Sequence, residues 1–131
     1  MIRSLMLILT LGLGAGMAQD MEYVGWMKGA AGSMGPMKKA LDGKSYKEAA
    51  EHARKVEAAF GKIEQYWAGR NAPDAVKLAQ TARNAAKEIA GAADAGHGDH
   101  ALQTMSAITS TCKSCHEAHR EKAADGSWKI K

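Results

Sequence analysis

Four stretches of roughly twenty residues each repeat apolar side chains at spacings of three and four, which limits this chain to helices packed on helices. The first, residues 21–41, carries Val24, Met27, Ala31, Met34 and Leu41 on one face. The second, 46–68, carries Ala49, Ala53, Val56, Phe60, Ile63 and Trp67, and the third, 73–93, carries Val76, Ala79, Ala82, Ala86 and Ile89. The fourth, 100–123, carries Leu102, Met105, Ile108, Cys112 and Cys115. Breakers separate them. Gly43 suits the residue after a helix end, and Ser45 with Glu48 three residues on reads as a capping box. Pro73 fits a first-turn position. Gly25, Gly29, Gly32 and Gly35 weaken the first helix, and Pro36 is expected to kink or restart it. Short links between amphipathic helices predict an all-α, up-down-up-down antiparallel four-helix bundle, whose interior is a usual place for a cofactor. The stripes are Ala-rich and thin, so a cofactor is expected to supply core volume.

The length of 131 residues is that of one domain. A net charge of +4, spread along the chain, does not point to nucleic acid, although it favours an acidic partner by steering. Arg3, the apolar run 5–13 and the small residues Gly16 and Ala18 follow the pattern of a secretory signal. The division is therefore a signal peptide over 1–18 and one domain over 19–131, in the periplasm. The apolar run is too short to span a bilayer, and no stable membrane span is expected after cleavage.

An exported chain with two cysteines usually forms a disulfide. Here Cys112-Lys113-Ser114-Cys115-His116 reads C-x-x-C-H, the haem-attachment signature. Two thiols add across the vinyl groups of one haem c, and cysteines at i and i+3 share a helix face. His116 follows directly and is the expected axial ligand to iron.

With this motif in the last helix of a helical bundle, the chain resembles class II cytochromes c, the family of cytochrome c′ and its low-spin, Met-ligated relatives. The family's C-x-x-C-H-x-x-aromatic-Arg pattern places its arginine, a haem-propionate neighbour, on Arg120, whereas His119 stands where an aromatic is usual. By position the resemblance assigns the sixth ligand to Met27, with Met34 as fallback and Met37, just past Pro36, less suited. Tyr23 stands where cytochrome c′ members often carry an arginine, and can bond a propionate or pack. Phe60 and Trp67 match a family Phe and Trp. A His116/Met27 iron implies electron transfer between redox partner proteins, because His/Met ligation raises the potential. The alternative is a five-coordinate, gas-binding cytochrome c′. No distal His–Arg pair suggests an enzyme, and a homodimer is an open option.

Other residues read as less informative. His97 and His100 suit a solvated loop, and His52 an exposed position. Lys113, Lys122, Lys129 and Lys131 can ring an exposed haem edge or simply be solvated.

Overall fold

The computed structural model describes residues 13–131, with side chains from residue 19 onward. The expected signal peptide covers 1–18, and its residues 1–12 lie outside the described residues. The chain is helical: α1 (Leu13–Asp42), α2 (Tyr46–Gly69), α3 (Pro73–Asp94) and α4 (Gly98–His119) are followed by two short strands, β1 (Arg120–Lys122) and β2 (Trp128–Ile130). α1 packs on α2, α2 on α3 and α3 on α4, whereas α1 and α4 touch only sparsely.

The first three helices end in the same way. Lys44, Asn71 and Gly96 take left-handed backbone, with φ of 58°, 54° and 75°. The next residue's N–H reaches back five residues: Ser45 to the Ala40 carbonyl, Ala72 to Trp67 and His97 to Ala92. Paired with Lys44 to Leu41, Asn71 to Ala68 and Gly96 to Ala93, these are Schellman closures of the orphan carbonyls. They correct the sequence reading of the first turn. The left-handed residue is Lys44 rather than Gly43, and Ser45 occupies the N-cap position without a side-chain capping bond, so no capping box forms. α1 also runs on through Pro36 without restarting.

The fourth helix stops four residues short of expectation. Arg120 turns extended, with φ −135° and ψ 137°, and pairs antiparallel with Ile130, as Lys122 does with Trp128. Asp125 and Gly126 form the hairpin tip. The Asp125 carboxylate accepts bonds from the Ser127 amide (2.9 Å) and hydroxyl (2.6 Å), and Gly126 supplies φ 84°. The turn therefore returns the tail along β1 towards the bundle.

The dry core runs between α2 and α3, where Ala49, Ala53, Ala79, Ala82 and Ala86 permit close approach, and Val56, Ile63, Ile89, Ile108 and Met37 fill the volume. α1 buries Tyr23, Ala30, Met37, Ala40 and Leu41. The stripe expected from its periodicity is thus rotated: Val24 and Ala31 are exposed, and Met27 and Met34 are half-buried. Val76 is also only half-buried, and His52, expected in solvent, is largely covered, with Nδ1 buried. That second apolar face of α1 borders the gap left towards α4.

Candidate functional site

The gap is a cavity of about 700 Å³, within the range of about 300–1,000 Å³ typical of ligand sites. One wall is α1, with Tyr23, Val24, Met27, Ala31 and Met34. The opposite wall is α4, with Ile108, Thr109, Cys112, Cys115, His116 and His119. Phe60 of α2 closes the back, and Arg120, Trp128, Lys129 and Ile130 of the hairpin lie along its edge. All six residues singled out from the sequence, Cys112, Cys115, His116, Arg120, Tyr23 and Met27, line this one cavity, as does Met34. Met37 does not; it is fully buried in the core.

Position follows from helix geometry. Cys112 and Cys115 are one turn apart on α4, and both face the cavity as free thiols. Burial raises both thiol pKa values, that of Cys115 to about 11. The shift favours the thiol over the thiolate at both positions. Burial, then the Arg120 charge, lowers the His116 pKa, which favours the neutral imidazole that can donate a lone pair to a metal. No group of three His, Cys, Asp or Glu side chains that could hold a bare metal ion occurs among the described residues.

Tyr23 is buried, and desolvation pushes its hydroxyl up to about 12. Its ring stacks on Tyr66 at 4.4 Å between centroids and meets the edge of Trp67 at 5.6 Å. Tyr66 donates to Asp20 at 2.5 Å, and Arg70 reaches the same carboxylate oxygen at 2.7 Å. Tyr23 is thus locked in an aromatic cluster at the cavity wall, an arrangement suited to packing.

His119 fills the corner where the family resemblance expects an aromatic. It lies 4.6 Å from the Trp67 ring, and its Nε2 is 2.6 Å from Asp74 Oδ2, tying α4 to the first turn of α3. That contact lowers the Asp74 pKa. A carboxylate held below its unfolded value stabilises the fold above that value and loses the contribution as pH falls through its folded value. Asp74→Asn is accordingly expected to lower the thermal midpoint at pH 7, and the difference from the native chain should close in acid, below the ordinary aspartate range. A gap that persists unchanged at pH 3 would contradict this assignment.

Arg120 is the one cation with a buried donor at the cavity: its Nε finds no hydrogen-bond partner among the described residues. Its guanidinium carbon lies 3.8 Å from the centroid of the Trp128 ring. Lys28 of α1 and Lys129 of β2 add positive charge at the rim. Two free thiols one helical turn apart, an adjacent imidazole, an apolar slot and a half-buried arginine with an unpartnered Nε make a donor set that fits a flat, apolar, iron-bearing group with an anionic edge. Ile108 shares the sequence stripe of the two cysteines, whereas the contributions of Thr109 and Ile130 to the wall are not visible in the linear pattern. Trp128 reaches the cavity edge from β2, beyond the Asp125–Gly126 turn. The chain matches no family model, no curated protein and no solved structure.

Proposed function

We propose that the chain is an exported mono-haem c-type cytochrome of the class II kind that carries electrons between periplasmic redox partners. In this reading Cys112 and Cys115 hold haem c as thioethers, His116 and Met27 are its axial ligands, and Arg120 faces a propionate. The observation that carries the proposal is convergence: one cavity is lined by both cysteines, the histidine after them and a methionine 85 residues or more upstream of each cysteine, Met27. An accidental C-x-x-C-H gives no reason for an apolar cavity to open on it.

The bound haem would supply the one-electron couple of its iron. The chain's own part is to exclude water with the α1 and α4 walls, to offer a neutral imidazole on one side, and to hold a thioether on the other. Those ligands change little between redox states, which suits a carrier rather than an enzyme. Consecutive packing of helices and the short links 43–45, 70–72 and 95–97 support the up-down-up-down antiparallel course. No described helix is long and apolar enough to cross a membrane.

The test is a pyridine haemochrome assay on protein exported from a host able to attach haem, followed by the reduced absorption spectrum. One covalently retained haem per chain and a six-coordinate, low-spin spectrum are expected. A colourless protein would overturn the cytochrome reading. A high-spin, five-coordinate spectrum with rapid CO binding would replace the carrier by the gas-binding alternative.

A further inference from the structure

We propose that Trp128 is a positioning residue, which holds the Arg120 guanidinium by its ring face so that the N–H edge meets the anionic edge of the group in the cavity. This rests on the haem reading and adds to it a residue outside the attachment motif, on a hairpin that the helical pattern does not foretell.

The register creates the contact. Arg120 pairs with Ile130 and Lys122 with Trp128, so Trp128 is the diagonal neighbour of Arg120 on one face of the two-stranded ribbon. The guanidinium carbon sits 3.8 Å from the ring centroid, and the Lys122 ammonium 5.3 Å. Trp128 is 54% exposed, and the Arg120 guanidinium lies over its ring. A planar guanidinium stacked on an indole keeps its in-plane N–H donors free, and the fork matches a carboxylate. Nε of Arg120 is such a donor, buried and without a partner among the described residues. The other titratable groups around Arg120 are Tyr23 and Lys28 on α1, Cys112, Cys115, His116 and His119 on α4, the last 2.6 Å from Asp74 of α3, Lys122 on β1, and Lys129 on β2, which is 3.4 Å from Glu121. Lys28, Arg120 and Lys129 line the cavity, and no carboxylate is among the described residues that do, so the charge facing it suits an anion.

If Trp128 aims Arg120 at a haem propionate, removing the ring leaves the propionate less stabilised as an anion. Its ionisation then occurs at higher pH. The experiment records the midpoint potential of the haem-loaded protein against pH for the native chain, Trp128→Leu, Trp128→Phe and Trp128→Leu in an Arg120→Leu background. For Trp128→Leu, the inflection at which the potential begins to fall should move up by about half a pH unit to one unit. Trp128→Phe, which keeps a ring face, should follow the native curve. In the Arg120→Leu background the Trp128→Leu change should add nothing, because coupled residues fail to add and independent ones do not. Unaltered helix content by circular dichroism checks that the hairpin changes leave the bundle folded. A native-like curve for Trp128→Leu, or a shift that persists without Arg120, overturns this inference while the haem reading stands. A negative haemochrome overturns both.

Discussion

Replacing Met27 by Leu should convert the reduced spectrum from low-spin to high-spin and lower the midpoint potential by on the order of 0.1 V or more, within the span of about 0.8 V over which axial ligands move haem potentials. The same replacement at Met34 should change neither. Met27 and Met34 lie two turns apart on the cavity face of α1, so packing alone gives them similar roles. Only the proposed iron–sulfur bond distinguishes them. Leucine keeps the volume, and volume-conserving swaps typically cost less than about 1.5 kcal/mol, so a spectral change without a comparable loss of stability isolates ligation from packing. Met37 provides the opposite contrast. It is fully buried away from the cavity, and Met37→Ala should cost about 2–5 kcal/mol while leaving the spectrum low-spin. A low-spin spectrum in Met27→Leu together with a high-spin one in Met34→Leu would transfer the sixth ligand to Met34.

The helices and the haem motif are legible in the linear pattern, because three-and-four spacing and C-x-x-C-H are local signals. What is not legible depends on neighbours. α1 has two apolar faces, one in the core through Met37, Ala40 and Leu41, the other on the cavity through Val24, Met27, Ala31 and Met34, with the buried Tyr23 and Ala30 on the border between them. Periodicity finds the larger side chains and so selects the cavity face, while the protein-facing stripe is partly built from alanine. The hairpin leaves no alternation to read, since Arg120, Glu121 and Lys122 are all polar; its register comes from the Asp125–Ser127 turn and from Arg120 on Trp128. His119 illustrates the same limit. Its bond to Asp74 and its tilted ring contact with Trp67 join residues 45 and 52 positions away, and together they occupy a corner that the resemblance left to an aromatic. Lys44 at a left-handed position shows local preference giving way to a Schellman closure that a tertiary turn requires.

The haem-free chain should retain most of its helical circular dichroism but melt broadly, with a midpoint lower by on the order of 10 °C or more than the haem-loaded protein. Cys112→Ser with Cys115→Ser, which removes both attachment points, provides the comparison. The reason lies in how unequally the bundle is packed. α2 and α3 close on each other through Ala53, Val56, Ile63, Ala79, Ala82 and Ile89, all buried, and need no cofactor. α1 and α4 touch sparsely and face each other across about 700 Å³. Without a group between them, Met27, Met34 and Ile108 border water or an unfilled space, and each wall loses the apolar contacts that would reward its order. Alanine buries little area per residue, so the α2–α3 pair has small reserves with which to hold the outer helices in register. Amide exchange should resolve this directly. Protection in the haem-free protein should persist in α2 and α3 and fall first in the N-terminal half of α1 and in α4 around residues 108–119. A sharp, two-state melt of the double-serine chain within a few degrees of the haem-loaded protein would mean that the cavity costs the fold little, and that the haem is held by the bundle without holding the bundle together.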